Sequence, residues 1–508
     1  MDKNILALDL GTSAIKVAIV SPEGKILSTS TQEYKLLTPD TLSVEMTPET
    51  YWEAFKAGTK EALEKSGISG DSLACLGMSA QGETMFLIGP DGNPLRNAIV
   101  WMDNRAQKEA EELDKQFPPE VTYKVTGQVS IVPTWPAAKL LWVKKHEPEV
   151  FKKIKKVLLI DDYIIYRMTG KFAGEGSLLC STCYWDINTK KWWKEMLDYL
   201  GISEDQLPEI YEPGAKVATV KPEIAEELGI SKDLVVCTGV LDQAAGTIGV
   251  GNVAPGIFSD CTGSALAICA TVNKVFQDPA FQMPCHYHGI PDLYMAHTFT
   301  TGGMALKWFR DGFCDLEMAM SAQTGLDPYY LMDKEAAQVP AGSDGLVMLP
   351  HLQGAMAPEA NPKAKGVFFG MTLKHTKAHF IRAVMESVAY IVRRNVETVE
   401  RMGMPVNEIR VLGGGSRSDI WNQIKADVTG KTYCTTENSE AACLGAAVVA
   451  GASCGLFDDV KGAVTNMVQI KKRYEPNMEN HEIYNKLFDE YKQLYNDLCP
   501  LFDKAAEE

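Results

Sequence analysis

The pattern that most constrains the fold of this chain is a strand, a turn of small polar residues and a second strand, which occurs twice. Gly11-Thr12-Ser13 separates apolar runs at residues 5–8 and 16–20, and a turn signal at 22–24 leads into a third strand. Much later, Thr262-Gly263-Ser264 separates two similar runs. Short apolar runs bounded by glycine, proline and serine are typical of hairpin strands. The repetition predicts two α/β halves that each begin with the same element.

The predicted boundary between the halves lies where glycine density rises, at Gly249-Val250-Gly251-Asn252. It divides the 508 residues into a first domain of residues 1–251 and a second of residues 252–508. At about 150 residues per domain, such a length allows two to four domains. The last segment, residues 480–502, predicts an amphipathic helix that covers one of the cores. Its expected apolar face consists of Ile483, Leu487, Tyr491, Leu494 and Leu498.

Charge and hydrophobicity restrict the partners that this chain can have. Its formal net charge of −16 argues against nucleic acids and anionic membranes, because both would be repelled by most of the surface. We find no signal peptide ahead of Asp9, and no apolar run approaches the ~18 residues of a transmembrane helix. The twelve scattered cysteines are expected to be free thiols in the cytoplasm. The isolated Cys180-Ser-Thr-Cys183 motif has no second pair that would indicate a metal or redox site.

Both polar turns are candidates for phosphate binding. Asp9 ends a predicted strand just before Gly11-Thr12-Ser13, and the free N–H groups of such a turn let a phosphate approach the backbone closely. The carboxylate of Asp9 is suited to hold Mg²⁺ through water. The turn at Thr262-Gly263-Ser264 would face the same phosphate from the opposite side. An ordinary hairpin turn is the alternative at each position.

Asp242 is the candidate general base. It follows the apolar strand at residues 234–241 and precedes a helical stretch at 244–248. This order places its carboxylate in a cleft at a strand end, near a helix N-terminus. The functional interpretation is that its carboxylate accepts the proton of a substrate hydroxyl. A plain helix-capping aspartate is the alternative that these residues leave open.

Gln81 and Glu83 are candidates for binding a polyol. They follow the strand at residues 74–78 and lie on one side of the chain if it stays extended. A carboxamide and a carboxylate together suit vicinal hydroxyl groups, because the first donates and accepts and the second accepts hydrogen bonds. The alternative is a solvated turn, which this stretch alone favours.

Five segments resemble the FGGY carbohydrate kinases, and the resemblance covers essentially the whole chain. The most specific joins Gly366–Met371, after seven residues, to His379–Glu386, and it fits one characteristic segment of the family at every position. The other characteristic segment is matched from Thr134 through Lys139 to His146, with Thr134 as a departure. The three segments that fit the nucleotide side of the family are residues 9–13, 412–416 and 441–447.

This resemblance implies an α/β, actin-like ATPase fold, in which two ribonuclease-H-like domains flank a cleft. The first domain would bind the sugar and the second ATP with Mg²⁺; Asp242 would be the general base, and Asp9 and Asp242 the metal ligands. The residues that the resemblance assigns to ATP are Gly11, Thr12, Ser13, Lys16, Thr262, Gly263, Ser264, Gly302, Gly303, Gly413, Gly414, Gly415, Ser416 and Asn422. Those that it assigns to the sugar are Gln81, Glu83, Trp101, Asp103 and Gln243.

Within the family the chain is most similar to xylulose kinases, but its predicted sugar pocket departs from theirs. Gly82-Glu83-Thr84 stands where they have Met-His-Gly, and Gln243 where they usually have Asn. Glu83, Thr84 and Gln243 resemble glycerol kinases instead, although Gly82 replaces an Arg of theirs. Residues 354–358 read Gly-Ala-Met-Ala-Pro where the family usually has Gly-Glu-Arg-Thr-Pro. An anionic Glu83 would repel acidic sugars, so the predicted reaction is phosphorylation of a neutral ketose, with D-xylulose first. Glycerol, a tetritol or another pentulose is the alternative substrate.

An alternative of another class is a non-catalytic, actin-like regulator that binds ATP. It requires a missing base, a broken phosphate turn or an added DNA-binding segment, whereas Asp9, Asp242 and both turns are present. The expected partners are therefore a small sugar or polyol and ATP, and a homodimer is left open.

Overall fold

The computed structural model describes residues 3–506. The strands of the first half are β1 (Asn4–Leu10), β2 (Ala14–Val20), β3 (Ile26–Glu33), β4 (Glu45–Met46), β5 (Leu73–Ala80), β6 (Met85–Ile88), β7 (Ala98–Ile99), β8 (Lys156–Leu159), β9 (Ala173–Glu175), β10 (Trp185–Asp186), β11 (Lys191–Trp192), β12 (Glu209–Tyr211), β13 (Lys216–Thr219) and β14 (Val235–Leu241). Its helices are α1 (Pro48–Ser66), α2 (Gln107–Gln116), α3 (Pro119–Thr126), α4 (Pro136–His146), α5 (Pro148–Phe151), α6 (Ile160–Thr169), α7 (Gly176–Leu179), α8 (Lys194–Leu200), α9 (Pro222–Leu228) and α10 (Asp242–Gly249).

The second half contains nine strands and eight helices among the described residues. The strands are β15 (Gly256–Thr262), β16 (Ala265–Val272), β17 (Cys285–Tyr287), β18 (Tyr294–Thr301), β19 (Val347–Leu349), β20 (Val367–Phe369), β21 (Val406–Leu412), β22 (Thr432–Thr436) and β23 (Ile470–Tyr474). The helices are α11 (Met304–Phe313), α12 (Asp315–Thr324), α13 (Pro328–Ala336), α14 (Lys377–Arg401), α15 (Asp419–Thr429), α16 (Ala441–Ser453), α17 (Val460–Met467) and α18 (Met478–Ala505). Of the helices within residues 3–506, none combines the length and the hydrophobicity that crossing a membrane requires.

The two large sheets have the same topology. The first has the strand order β3-β2-β1-β5-β14-β13, and the second has the order β18-β16-β15-β21-β22-β23, with β17 added beside β18. In each sheet the first three strands are antiparallel, the next two run parallel to the third, and the last is antiparallel again. Both β-turn-β predictions and the predicted α/β fold of two similar halves are thus confirmed. The boundary predicted between residues 251 and 252 lies between the two sheets.

The central strand β1 shows how the sequence positions the cleft. Ile5, Leu6, Ala7 and Leu8 are consecutive and all buried, and successive side chains of a strand point to opposite faces. Both faces of the sheet are therefore covered, as is typical of strands that have parallel neighbours. Asp9 interrupts this apolar run one residue before the strand ends, so its carboxylate lies at the carboxyl edge of the sheet.

Helices α10 and α16 pack against each other where the two halves meet, and glycines permit the close contact. An added Cβ atom at Gly445 would lie 1.9 Å from the carbonyl oxygen of Ala245, and one at Gly249 would lie 1.8 Å from that of Ala441. Real Cβ atoms do not approach backbone atoms this closely, so the contact requires glycine on both helices. Since Asp242 is the first residue of α10, this contact also fixes the position of the candidate base.

The C-terminal helix forms where the sequence predicts it, and its buried face includes most of the expected one together with further aromatic residues. Its buried side chains are Tyr484, Phe488, Tyr491 and Phe502, whereas Ile483 is 44% exposed. Tyr484, Phe488 and Tyr491 pack against the long helix α14 of the second half, where their rings lie next to Tyr390. The predicted Leu487, Leu494 and Leu498 are partly buried and pack against the same core. The helix thus covers a core as predicted; of the expected face only Ile483 is wrong, and the prediction missed Tyr484, Phe488 and Phe502.

Candidate active site

The carboxylates of Asp9 and Asp242 lie in the cleft between the halves. Asp9 accepts a hydrogen bond from the hydroxyl of Ser79 at 2.8 Å, across the parallel pair β1–β5. Burial raises the pKa of Asp9. Burial, followed by the negative charge of Asp9, raises the pKa of Asp242 to about 8. A carboxylate whose charge raises the pKa of another carboxyl group lies near it, and such pairs are typical of catalytic sites.

In both predicted phosphate turns, the N–H group of a glycine donates to a carbonyl oxygen on each of the two flanking strands. The N–H group of Gly11 donates to the carbonyl oxygens of Asp9 and Ala14, each at 3.1 Å. In the second turn, which is one residue shorter, the N–H group of Gly263 donates to the carbonyl oxygens of Cys261 and Ala265, at 3.2 and 2.9 Å. Gly11 and Gly263 are therefore equivalent positions in the two halves.

The second turn lies beside the two carboxylates. Burial raises the pKa of the Cys261 thiol, and the charges of Asp260, Asp242 and Asp9 raise it further. Thr262 follows Cys261 directly, so the turn that it opens borders the same cleft. The structure thus brings together the two predicted metal ligands and the second predicted phosphate turn.

A cavity of about 370 Å³ begins at the second turn. Its lining includes six of the predicted ATP residues, which are Thr262, Gly263, Ser264, Gly303, Gly414 and Gly415. Gly302 and Gly303 pack on the turn, since the N–H group of Gly303 donates to the carbonyl oxygen of Gly263 at 2.9 Å. Sequence reasoning did not find the other walls of the cavity, which come from α11, α13 and α15. These walls include Leu306, Tyr329, Tyr330, Asp333 and Trp421.

Gly413 and Ser416 line a neighbouring cavity of about 680 Å³, together with Lys16 and Glu440. The ammonium group of Lys16 in the first half contacts the carboxylate of Glu440 in the second half at 2.8 Å, so an ion pair crosses the cleft here. Asn422 lies behind this region and is fully buried, and its side chain donates to the carbonyl oxygen of Ser416 at 2.9 Å. A contact of Asn422 with the adenine base stays a prediction.

Glu83 occupies an unusual backbone position on the sugar side. Its φ angle is +58°, a left-handed conformation that residues other than glycine rarely adopt and that is frequent at functional sites. Its side chain is half-buried, and burial raises its pKa, with the Ser181 hydroxyl and the Lys139 charge acting in the opposite direction. Nearby, Gln81 is buried, and its amide oxygen has no hydrogen-bond partner in the described part of the chain.

Lys139 ties together the loops that border Glu83. Its ammonium group is fully buried and donates to the carbonyl oxygens of Val100 at 2.9 Å, Trp101 at 3.1 Å and Glu83 at 3.4 Å. Burial lowers its pKa to about 7. Lysine has three donors, and here all of them are used on backbone carbonyls.

Two further predicted sugar residues, Trp101 and Asp103, lie in the loop after β7. The indole nitrogen of Trp101 donates to the hydroxyl of Thr12 at 2.8 Å, which connects this loop to the first phosphate turn. The carboxylate of Asp103 accepts hydrogen bonds from Arg105 at 2.8–3.1 Å and from the N–H group of Val44 at 2.6 Å. Asp103 thus fixes the loop, and its contact with sugar stays a prediction. Gln243 is half-buried beside Asp242.

The donor set fits a hydrated magnesium ion. Within residues 3–506, no group of three or more His, Cys, Asp or Glu side chains could enclose a metal ion. Mg²⁺ usually keeps several waters and is bound by one or two carboxylates together with substrate phosphates. Asp9 and Asp242 supply two carboxylates, and a cation between them would offset the repulsion that raises the pKa of Asp242.

Sequence reasoning missed a set of buried carboxyl groups that hold Asp242 in place. Glu175 accepts a hydrogen bond from the hydroxyl of Ser177 at 2.7 Å, and that hydroxyl accepts one from the N–H group of Leu241 at 2.9 Å. Asp161 is also fully buried, and its charge adds to the burial that raises the pKa of Glu175 to about 8. Because Leu241 immediately precedes Asp242, these groups position the candidate base.

Because of these buried carboxyl groups, we expect the stability of the folded protein to fall as the pH rises. Burial raises the pKa of Asp161 to about 7, against about 3.9 in an unfolded chain, so the folded state binds more protons between these values. The contribution is therefore complete below about pH 4 and is lost as the pH rises towards 7. Between pH 5 and 8, thermal unfolding should show wild type losing roughly 2–3 kcal/mol relative to Asp161→Asn. A constant difference across this range would contradict the assignment.

The fold and the cleft define an actin-like phosphotransferase, and comparison with known proteins gives the family. Residues 4–249 match the N-terminal domain, and residues 262–454 the C-terminal domain, of the FGGY family of carbohydrate kinases. The chain belongs to this family, so it is an ATP-dependent carbohydrate kinase. The predicted family and enzyme class are confirmed, and the non-catalytic regulator is set aside.

Relatives with different substrates are equally similar to this chain. It is 29% identical to a xylulose kinase of Staphylococcus epidermidis over 97% of this chain and 96% of that protein. It is also 29% identical to a gluconokinase of Bacillus licheniformis over 98% of each. The crystal structure of a ligand-bound xylulose kinase from Lactobacillus acidophilus superposes with a TM-score of 0.90 at 28% identity, covering 99% of both chains. Overall similarity therefore supports a sugar kinase without fixing the sugar.

Proposed function

We propose that this kinase transfers the γ-phosphoryl group of ATP to a neutral sugar, with D-xylulose as the first candidate and D-xylulose 5-phosphate as its product. The observation that carries the proposal is the strained, half-buried Glu83 near Asp242. An acidic sugar would bring a further negative charge beside Asp9, Asp242 and Glu83. Lys139 and Arg105, the cations that contact these loops, already have partners. A neutral polyol, in contrast, supplies hydroxyl donors to these oxygens.

In the proposed reaction Asp242 is the general base. Its carboxylate accepts the proton of the substrate hydroxyl while the hydroxyl oxygen bonds to the γ-phosphorus. The bond from the γ-phosphorus to the β–γ bridging oxygen breaks, and ADP leaves with that electron pair. A positioned base contributes about 10²–10⁴ in rate, and a pKa near the working pH favours the role.

The remaining polar groups of the cleft serve positioning and charge stabilisation, on which phosphoryl transfer mostly depends. The turns that contain Gly11 and Gly263 would hold the transferred group from the two halves. Mg²⁺, held through water by Asp9 and Asp242, would neutralise charge on the phosphates when it is bound. Closure of the halves would exclude water and limit hydrolysis of ATP.

A second candidate substrate is glycerol, a tetritol or another pentulose. Gln81, Glu83 and Gln243 together offer an arrangement that suits a short polyol as well as a ketose. The free amide oxygen of Gln81 is an acceptor for one hydroxyl. A panel of D-xylulose, D-ribulose, L-ribulose, glycerol, erythritol and gluconate in a coupled ADP-release assay separates the candidates. Preference for gluconate would overturn the proposal, and preference for glycerol or erythritol would overturn D-xylulose alone.

Substitution of Glu83 tests the sugar contact directly. Glu83→Ala should raise the KM for the sugar by about 10- to 100-fold, the loss expected for hydrogen bonds to a carboxylate. The KM for ATP should stay nearly unchanged, because ATP would bind the other half. Steady-state kinetics with each substrate varied in turn measures both constants. Glu64→Ala, on the exposed side of α1, is a matched control that should alter neither. Equal changes in the two KM values would make Glu83 structural.

A further inference from the structure

A fully buried ion pair lies directly behind the second phosphate turn. The ammonium group of Lys425 on α15 contacts the carboxylate of Asp260 on β15 at 2.8 Å, and both side chains have no exposed surface. The same ammonium group donates to the hydroxyl of Thr262 at 2.6 Å, and this hydroxyl donates to the other oxygen of Asp260 at 2.5 Å. The three groups therefore form a closed network whose third member is the first residue of the turn.

The fold itself does not require this pair. Gly11 and Gly263 are equivalent positions, so the residue equivalent to Asp260 in the first half is Leu8, three residues before the glycine. Leu8 is completely buried, which means that an apolar side chain fills the same place under the first turn. Taking two charges out of water is expensive, and well-packed apolar residues of similar volume are often at least as stable. The second half thus contains an energetically costly ion pair at a position where the first half has an apolar residue.

The network joins three parts of the nucleotide site. Added Cβ atoms at Gly413 and Gly415 would each lie 2.8 Å from atoms of Thr262, so the glycine-rich loop rests on this threonine. The ammonium group of Lys425 also lies 4.9 Å from the centre of the Trp421 ring. Trp421 and Thr262 line the same cavity. Lys425 therefore contacts the turn and one wall of the cavity without reaching the cavity itself.

We propose that Lys425 is a positioning residue for ATP, which holds the turn at Thr262-Gly263-Ser264 in register with the Trp421 wall. A nucleotide whose base lies along this wall then presents its γ-phosphoryl group to the turn and to Asp242. Because the lysine lies behind the turn, it acts through Thr262 and Trp421. Errors of about 1 Å in the placement of reacting groups can reduce rates about 100-fold, so a buried anchor at this point has a direct kinetic consequence.

The decisive variant replaces the ion pair by the apolar arrangement of the first half. Asp260→Leu combined with Lys425→Met leaves no unpaired buried charge, so the protein should fold with a melting temperature close to that of wild type. We expect kcat to fall by about 10- to 100-fold and the Kd for ATP to rise about tenfold, while the Kd for the sugar is unchanged. Calorimetry with ATP, ADP and the sugar gives the binding constants. Affinity for ATP should fall more than affinity for ADP, because the turn contacts the terminal phosphate.

A purely structural ion pair gives a different result. In that case the double variant keeps the kcat of wild type and the same preference for ATP over ADP, and the proposal is overturned. If the double variant does not fold, Thr262→Val decides, because it keeps the ion pair and removes only the hydroxyl that links it to the turn. Unchanged kcat and ATP affinity in Thr262→Val would equally overturn the proposal. Lys431→Met, which removes an ion pair with Glu400 just after α15, is the control that should keep wild-type kinetics.

Discussion

Replacing Asp242 by asparagine should lower kcat by about 10²–10⁴-fold while ATP still binds. The amide keeps the size and shape of the carboxyl group but cannot accept the proton of the substrate hydroxyl. It also removes one negative charge near Asp9, so phosphate binding should not weaken through repulsion. The measurement is a coupled ADP-release assay at saturating sugar and ATP, together with calorimetric titration of ATP.

A matched control separates this role from a general effect of losing a carboxylate. Asp233 is exposed two residues before β14, at the opposite end of the strand that leads into Asp242. Asp233→Asn should retain the turnover of wild type. Turnover of Asp242→Asn above about one tenth of wild type would rule out the general base, given the magnitude expected for such a group. Loss of ATP binding in the same variant would instead assign Asp242 to nucleotide binding.

The hairpins could be predicted because their signals are local. Each combines short apolar strands with a glycine-containing turn, and both features are determined by residues that are neighbours in the chain. The same holds for Asp9 and Asp242, whose places at strand ends follow from the order of the elements. The cleft that joins them follows from the repeated topology, since each half brings the carboxyl edge of its sheet to the same region.

The most deeply buried part of the C-terminal helix could not be predicted from hydrophobicity. Leucine spacing correctly places Leu487 and Leu494 against the core, but it does not indicate that Tyr484 is buried more deeply than either. The tyrosine hydroxyl donates to Glu386 at 2.7 Å and accepts a hydrogen bond from Arg382 at 3.0 Å, so its polar atom is satisfied within the core. A buried tyrosine with such partners is as suitable as a leucine. The partners lie on α14, about a hundred residues earlier in the chain, and no local pattern indicates them.

Long-range polar pairs were equally hidden in the site. Lys425 and Asp260 are 165 positions apart, and each alone looks like an ordinary surface residue in the sequence. Asp103 could be recognised as a site residue from the family resemblance, but its bonds to Arg105 and Val44 appear only in three dimensions. Sequence patterns therefore indicate the candidate reacting groups, whereas the residues that contact and position them are found from the structure.

The contact between α10 and α16 gives a test of positioning at the centre of the molecule. Gly445→Ala would place a methyl group 1.9 Å from the carbonyl oxygen of Ala245. Backbone atoms cannot rotate away as a flexible side chain can, so the two helices must separate by more than 1 Å. Protein interiors are close-packed and transmit such a shift to their neighbours. Asp242 begins α10, and its carboxylate must move with the helix.

We therefore expect Gly445→Ala to reduce kcat about 100-fold, or to abolish the folded enzyme, although alanine favours helices over glycine by about 1 kcal/mol. Gly312→Ala in α11 is the matched control, because this helical glycine has no atom within 4 Å of an added Cβ. The control should keep wild-type kcat and gain stability. Thermal unfolding and steady-state kinetics of both variants distinguish the effect of the clash from the effect of helix propensity. A clash at the helix contact lowers activity in Gly445→Ala only, whereas helix propensity acts in both variants. If Gly445→Ala keeps the kcat of wild type, α10 accommodates the methyl group without displacing Asp242, and the prediction is contradicted.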